Sequence, residues 1–302
     1  MNEAKVALLR DRSVVSVTGE DATKLLQGII TNDMDELDTQ PALFAGLLSP
    51  QGKVLFDFFV VKASDGYLLD TAADKAADLA KRLTMYKLRA RATIADQSDQ
   101  FKIAAAWGLP WGSVDGVLSY ADPRDRRIGE RLLVPTNQVA ILDSAIHKTG
   151  GDWVHAPPEL YKERRISKGV PEGGKDYDFG DAFPHEANFD LNNGVAFEKG
   201  CYVGQEIVSR MQHRATVRKR IVRVTATSDL PGTRSEVKMG EVVIGKLGSV
   251  WGICGLAMLR LDRAIESIDK GETITADGIV LTVDPEALTR HRTIMAEKAS
   301  HT

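Results

Sequence analysis

Apolar and polar positions alternate in short runs over the first third of the chain, and these runs predict strands interleaved with helices. Residues 14–17 form a β-branched run, and residues 42–48 and 54–61 form a hairpin pattern around a five-residue connection. Residues 67–71 predict another strand, and from residue 73 to residue 88 the apolar positions recur at helical spacing. This irregular interleaving favours an α+β fold over a doubly wound parallel sheet.

The last third of the chain has a different pattern, in which one short strand follows another with Gly and Asp at the turns. These strands are predicted over residues 221–226, 241–244, 252–259, 273–276 and 279–283, and together they indicate a small β-barrel or sandwich. A helix is predicted over residues 158–167, and residues 169–200 form an aperiodic run of a length that is typical of functional loops. The pattern therefore predicts an α+β region over residues 1–217 and a β domain over residues 218–302.

Composition and charge narrow the class of protein. The chain has 302 residues, of which 43% are hydrophobic and 27% charged, and its formal net charge is −3. This slight acidity makes direct nucleic-acid binding unexpected, because phosphate contacts need a basic surplus. The chain has no apolar run near the roughly 20 residues that span a bilayer, and its start lacks the features of a secretory signal. We expect a cytoplasmic protein without membrane contact, and nothing in the pattern requires more than a monomer.

The densest group of reactive residue types is the run Glu198-Lys199-Gly200-Cys201-Tyr202-Val203-Gly204-Gln205-Glu206. A thiol that lies two residues after a lysine, at the start of an apparent helix, has its thiolate favoured by both. Cys201 is therefore a candidate nucleophile, redox thiol or transient metal ligand, or else a small core residue at a tight turn. The other cysteine, Cys254, lies in an apolar strand run and is interpreted as a core residue. Neither has the spacing of a disulfide framework or a structural zinc site, so no metal site is expected.

Asp57 is the second candidate, because alternation places it on the same strand face as Leu55 and Phe59. A carboxylate among apolar neighbours must be paired, hydrogen-bonded or shifted in pKa, and each of these is common in active sites. The alternative is a solvated strand face. In the aperiodic run, Glu186 is a further candidate ligand, whereas the adjacent His185 is interpreted as structural.

Basic residues concentrate between Arg210 and Arg220, and again at Arg124, Arg126, Arg127 and Arg131. Such a run can receive a polyanion or an acidic protein surface, and it can equally be a solvated linker between domains. An RNA-associated module that uses the first run is therefore a third functional hypothesis.

The run from Lys199 to Glu206 resembles the signature of the YgfZ-type folate-binding proteins, which share the fold of the glycine-cleavage T-protein, an aminomethyltransferase. Other segments agree in order along nearly the whole chain. They are residues 26–33, 51–53, 86–89 and 184–187 and the late strand pair between residues 245 and 260.

This resemblance implies an α+β, three-lobed fold with tetrahydrofolate in the central opening. Two intertwined ferredoxin-like α+β subdomains would form the folate-binding region over residues 1–217, and a C-terminal β-barrel would cover residues 218–302. The resemblance also implies an accessory role in the assembly or repair of iron–sulfur clusters, with client enzymes or cluster-assembly proteins as partners and an indirect link to tRNA modification. The residues that it implies are Cys201 as the reactive thiol, Asp57 at the folate amine, and Glu186, Lys199, Tyr202, Gln205 and Ser167 as further folate contacts.

One departure from the family pattern concerns Ser167, which stands where the T-protein has a glutamate that binds the pterin. A serine cannot replace a bidentate carboxylate contact, so either folate affinity is weak or Glu186 supplies the acceptor. The T-protein lacks a cysteine at the position of Cys201, which favours sulfur or iron chemistry here. The alternative function is a folate-dependent one-carbon transferase in which Asp57 is the decisive residue.

Overall fold

The computed structural model describes residues 4–140, 142, 153–214 and 217–299. Its strands are β1 Ala4–Leu8, β2 Arg12–Thr18, β3 Ala42–Leu48, β4 Val54–Ala63, β5 Gly66–Ala72, β6 Thr93–Asp96, β7 Phe101–Trp107, β8 Leu118–Ala121, β9 Glu130–Pro135, β10 Trp153–His155, β11 Lys219–Thr225, β12 Glu236–Met239, β13 Val242–Trp251, β14 Cys254–Arg260, β15 Ile274–Ala276 and β16 Ile279–Val283. Its α-helices are α1 Ala22–Gln27, α2 Ala76–Lys87, α3 Pro158–Ser167, α4 Gln205–Arg214, α5 Leu261–Asp269 and α6 Pro285–Ala299.

The chain divides into two compact units. Unit 1 comprises Met1–Leu48, Leu55–Tyr161 and Asn192–Val203, and unit 2 comprises Ser49–Val54, Lys162–Leu191 and Gly204–Thr302. The segments of each unit are far apart in sequence, so each unit is closed by contacts of long range. The boundary that the sequence places between residues 217 and 218 stays a prediction.

Unit 1 contains two five-stranded sheets. One has the order β3-β4-β5-β2-β6, and the other has the order β10-β1-β7-β9-β8, in which β1 pairs with β10 in parallel and with β7 antiparallel. Helices α1 and α2 bury Leu26, Leu79 and Leu83 in one core with Phe56 and Phe58 of β4. Because side chains alternate along a strand, Asp57 and Phe59 point to the opposite face of this sheet.

Unit 2 is built on a closed barrel of strand order β11-β14-β13-β12-β15-β16, with β11 and β16 closing it antiparallel. Its core is lined by small and branched apolar side chains such as Val224, Val237 and Leu259. Residues 169–200 contain no helix and no strand, and their regular structure is limited to one isolated β-bridge between Gly173 and Tyr177. None of the described helices has the length and apolar composition needed to cross a membrane.

The structure confirms the α+β class, the hairpin of residues 42–61 and the helix over residues 158–167. The prediction of separate strands over residues 241–244 and 252–259 is wrong in its bounds, since β13 and β14 together run from Val242 to Arg260 with a short turn. The sequence analysis does not predict the strand Glu236–Met239, the helix α5 between β14 and β15, or the helix α6 after β16. Their local patterns are short or mixed with polar residues, and packing on the barrel decides their conformation.

Candidate functional site

The residues that the sequence singles out lie in both units. Asp57, Lys199, Cys201 and Tyr202 belong to unit 1, whereas the other three, Ser167, Glu186 and Gln205, belong to unit 2. Each set is described within its own unit.

Lys199 is a buried cation held by backbone oxygens. Its ammonium donates to the carbonyls of Gln27 and Ile30 at 2.9 Å each and to that of Asn32 at 2.7 Å. Burial lowers the pKa of Lys199 to about 8, although Asp33 and Asp35 act in the opposite direction. The ammonium thus fastens the loop to the turn after α1, where helix-terminal carbonyls need donors.

Two more anchors follow in the same loop. The Tyr202 ring is buried, with the Lys199 ammonium 5.1 Å from its centroid, and burial raises the pKa of the phenol. Val203 packs against the core that α1 and α2 share. Three residues of a five-residue stretch are therefore fixed in unit 1.

Cys201 lies between these anchors and is exposed. The interpretation of this cysteine as a small core residue is therefore wrong. Its predicted place at the start of a helix is also wrong, because α4 begins at Gln205. The sequence pattern could not locate the start of α4, because it depends on the backbone of Gly204. This glycine has a positive φ of 82°, which is not helical, so the helix begins only after it. The loop holds the thiol at the surface on a fixed backbone.

Asp57 lies in the middle of β4 with 3% exposure, so the solvated-face interpretation is wrong. Its backbone carbonyl accepts a hydrogen bond from the Thr71 hydroxyl at 3.0 Å. On the same strand face lies Phe59, whose ring has the guanidinium carbons of Arg131 and Arg124 at 4.6 Å and 4.7 Å from its centroid. The carboxylate therefore lies beside a strongly cationic layer.

Asp70 is the centre of that layer, and the sequence analysis missed it. Its Oδ1 accepts from Arg12 at 2.8 Å, and its Oδ2 accepts from Arg131 at 2.7 Å and from Tyr120 at 3.2 Å. Burial opposes ionisation, but the two guanidiniums outweigh it and hold the pKa of Asp70 below its usual value. Asp70 is a carboxylate in an apolar strand run, the same signal that drew attention to Asp57.

Two further buried ions complete the layer. Arg124 binds Asp122 through two hydrogen bonds, at 3.0 Å from Nε and 2.8 Å from the terminal nitrogen. Arg124 and Arg131 were expected to join a basic surface cluster, and their burial contradicts that expectation. The buried Arg12 and Arg131 thus bind Asp70, and the buried Arg124 binds Asp122.

Two of the three candidates in unit 2 bind their own segments. Ser167 is exposed and its hydroxyl donates to the Arg164 carbonyl at 2.7 Å, whereas the Glu186 carboxylate accepts from the Phe183 amide at 3.0 Å. His185 is buried and its Nε2 lies 3.0 Å from the Gln212 amide oxygen, as its structural interpretation requires.

These partners bear on tetrahydrofolate, the cofactor that the resemblance implies. The Lys199 ammonium is buried and donates to backbone carbonyls, so Lys199 does not fit the role of a folate ligand. Ser167 is exposed and Glu186 is half-buried, and each bonds within its own segment, so their roles as folate contacts stay predictions. Among the described residues, no three His, Cys, Asp or Glu side chains lie together as a metal site.

The predicted basic run does not form one surface. Arg210 pairs with Glu206 on α4, whereas Arg220 is buried and binds Asp190 through two hydrogen bonds of 2.8 Å and 2.7 Å. Residues 215 and 216 of this run lie outside the described residues. The described cations are thus divided between surface and core.

Comparison with known proteins adds a family model and relatives along most of the chain. A model described as the C-terminal β-barrel domain of CAF17 matches residues 218–290. The iron-sulfur cluster assembly factor IBA57 homolog, mitochondrial, of Dictyostelium discoideum is 30% identical over 276 residues, which cover 79% of this chain and 66% of that protein. The iron-sulfur cluster assembly factor IBA57, mitochondrial, of Mus musculus is 31% identical over 283 residues, which cover 83% of this chain and 76% of that protein.

Among solved structures, the glycine cleavage system aminomethyltransferase T from Bartonella henselae matches with a TM-score of 0.75 at 14% identity. The match covers 95% of this chain and 86% of that chain. At this identity the likeness concerns the fold alone, and it confirms the expected T-protein-like fold class.

The chain spans between half and three quarters of the length of the curated relatives that it matches. Their names describe mitochondrial proteins, which contradicts the cytoplasmic localisation expected from the sequence. These relatives are named IBA57, so the T-protein-like fold that the resemblance implied is confirmed, whereas membership of the YgfZ-type proteins is not specifically shown. By its identity to the mouse protein over three quarters of that protein's length, this chain belongs to the family of IBA57 iron–sulfur cluster assembly factors.

Proposed function

We propose that this chain acts in iron–sulfur cluster assembly and that Cys201 is a thiolate ligand of cluster iron. The observation that carries this proposal is the exposed thiol on a loop that Lys199, Tyr202 and Val203 fix to unit 1. A ligand on a fixed backbone loses little conformational freedom when it binds, so the entropic cost of binding iron at Cys201 is low.

The chemistry is a ligand exchange. The Cys201 thiol releases its proton to water, and the sulfur lone pair forms a bond to iron as another ligand leaves, with no change in oxidation state. Iron–sulfur clusters are held by about four thiolates, whereas the chain has two cysteines in all. The other ligands therefore come from a cluster-assembly protein or a client enzyme, and the cluster is shared at their interface as the cargo.

Rescue of cells that lack this chain tests the proposal. The readout is the activity of a [4Fe–4S] enzyme relative to its protein level, and the variants are Cys201→Ser and Cys254→Ser. Cys254 is the matched control because it is the other cysteine, half-buried in barrel strand β14. We expect Cys254→Ser to restore activity and Cys201→Ser to fail although it is folded and equally abundant. Full rescue by Cys201→Ser would overturn the role of the thiol.

Tetrahydrofolate binding remains a prediction of the resemblance, and the buried Asp57 is the observation that favours it. Calorimetric titration of the full chain with tetrahydrofolate, beside Asp57→Asn, tests it. We expect the isosteric variant to weaken binding while the unfolding midpoint is kept. Equal binding by both proteins, or none at millimolar ligand, would contradict a folate site at Asp57.

The alternative of one-carbon transfer also rests on Asp57. It predicts that the purified chain turns over a methylene-carrying folate and that Asp57→Asn loses this activity. Absence of turnover by the folded wild-type chain would leave only the accessory role. The link to tRNA modification follows from client enzymes, and it is tested by measuring thiolated tRNA in the same rescue cells.

A further inference from the structure

A second surface of unit 1 carries exposed apolar side chains within a dense run of positive charge. Helix α2 turns Leu79 and Leu83 into the core, and the opposite side presents Lys81 and Met85, which are neighbours at i and i+4. Met85 is 62% exposed, and Leu88, directly after the helix, is 88% exposed. Large apolar side chains that are this exposed are stabilised when a binding partner buries them.

The backbone holds Leu88 outward at a strained conformation. Its φ is 46° and its ψ is −106°, a region that L-residues with side chains rarely adopt. Glycine is the residue that such a position favours, because it has no Cβ. Retaining a leucine at a strained and exposed position is typical of a binding element rather than of the fold.

The charge around these side chains has one sign. Residues 79–95 contain five cations and no carboxylate, in a chain whose net charge is −3. The cations are Lys81, Arg82, Lys87, Arg89 and Arg91. Arg91 pairs with Glu20 and Asp21, whereas no ion pair is recorded for the other four within the described part of the chain. Lys81 and Arg82 lie one turn before Met85, and Arg89 follows Leu88, whereas Lys87 lies on the other side of the helix from Met85. We name the set Lys81, Arg82, Met85, Leu88 and Arg89 the α2 surface.

We propose that the α2 surface docks a partner protein that presents an apolar groove with an acidic rim. Met85 and Leu88 enter the groove as apolar anchors, and the three cations face the carboxylates of the rim. A membrane surface is a weaker fit, because α2 buries its apolar face, with Leu79 and Leu83, in the core and leaves Met85 and Leu88 to insert. A nucleic acid is also a weaker fit, because its phosphates attract cations and do not bind apolar side chains.

The α2 surface and the cysteine loop are joined through one core. Tyr86, between Met85 and Leu88, and Val203, two residues after Cys201, both pack against the cluster formed by α1, α2 and their sheet. A partner on the α2 surface is thus held by the same rigid unit that carries the thiol. The docking itself does not depend on any reaction at Cys201.

Photocrosslinking in cells tests the docking. p-Benzoylphenylalanine replaces Leu88 in the full chain, and the control places it at Leu109, another exposed leucine of unit 1. A second pair of proteins tests the role of charge, and both carry the crosslinker at position 88. One has the substitutions Lys81→Glu and Arg89→Glu. The matched control has Lys24→Glu and Lys102→Glu, at exposed lysines of the same unit.

We expect a protein crosslink at position 88 that position 109 does not give, with a yield at least tenfold lower in the Lys81→Glu/Arg89→Glu chain. Exchange of acidic residues for lysine in the crosslinked partner should restore the yield with the charge-reversed chain. Crosslinks that disappear on nuclease treatment, that form with lipid, or that are insensitive to the charge reversal would overturn the proposal, as would equal yields at positions 88 and 109.

Leu88→Gly separates binding from folding. Glycine removes both the anchor and the strained side chain, so we expect the urea midpoint to be unchanged or raised while the affinity for the identified partner falls at least tenfold. A lower midpoint with unchanged affinity would show that Leu88 serves the fold, and the docking role would be wrong.

Discussion

Replacement of Lys199 by methionine tests whether the cysteine loop is fastened by its buried ammonium. Methionine keeps most of the length of the side chain and removes the charge and all three donors. The carbonyls of Gln27, Ile30 and Asn32 then lose the partner that they now share at 2.7–2.9 Å.

The magnitude follows from two opposing contributions. Methionine leaves the three carbonyls without this donor, and a buried acceptor without a partner costs about 1–3 kcal/mol, so the loss is roughly 3–9 kcal/mol before the charge is considered. Removal of the charge offsets part of this loss, because burial disfavours the ammonium by several kcal/mol and lowers the pKa of Lys199 to about 8. We therefore expect Lys199→Met to lower the free energy of unfolding by about 2–4 kcal/mol.

Urea unfolding at neutral pH measures this loss, with Lys24→Met as the control because Lys24 is an exposed lysine of α1. The pH dependence gives a second test. The folded-state pKa of Lys199 lies below its ordinary value of 10.5, so the unfolded chain binds more protons between pH 8 and pH 10.5. Wild-type stability should gain from this group as the pH rises through that window, and Lys199→Met should lack that gain.

Unfolding of Lys199→Met at the same urea concentration as Lys24→Met would show that the ammonium does not fasten the loop. So would a stability difference between wild type and Lys199→Met that is independent of pH from 7 to 10.5. Either result would mean that the loop is held by Tyr202 and Val203 without the ammonium.

Two further predictions concern the fold that carries the site. Asp70→Asn should cost about 3–5 kcal/mol, because it leaves the buried Arg12 and Arg131 without their carboxylate. The stability that Asp70 contributes is present above its ordinary pKa of 3.8 and is lost as the pH falls through the lower folded-state pKa. The free energy of unfolding of wild type should therefore fall with decreasing pH in that range, and Asp70→Asn should lack this fall. The same dependence on pH in both proteins would contradict this prediction. Gly52→Ala should lower the thermal midpoint more than Gly180→Ala, because both have positive φ but an added Cβ at Gly52 would lie 2.7 Å from Ile207, whereas none lies near at Gly180; equal shifts in the two variants would show that the contact with Ile207 relaxes without cost.

The sequence predicts the strands of the first sheet well because their β-branched and apolar runs are buried on both faces. For Asp57 the same run left a buried carboxylate and a solvated strand face open, and the fold decides for burial. Asp70 is likewise a carboxylate in an apolar strand run. Its partners Arg12 and Arg131 come from strands distant in sequence, and no local pattern shows that these side chains contact each other. Arg131 therefore looked like a surface cation.

The cysteine loop shows the limit of local reasoning most clearly. The spacing of Lys199 and Cys201 predicts a cation beside a thiol, whereas the ammonium turns inward to carbonyls that lie more than 160 residues earlier in the chain. Such a long-range contact can be found only from the fold. The exposure of Cys201 could likewise not be read from its apolar and glycine neighbours.

Iron analysis of the anaerobically purified full chain tests whether Cys201 ligates cluster iron. The tagged chain is isolated from iron-replete cells together with its bound partners. The iron content and the thiolate-to-iron charge-transfer absorption are then measured for wild type, Cys201→Ser and Cys254→Ser. We predict iron and the absorption band in wild type and Cys254→Ser, and loss of both in Cys201→Ser with the partner still bound. Equal iron and an unchanged band in Cys201→Ser would show that this thiol does not ligate the cluster.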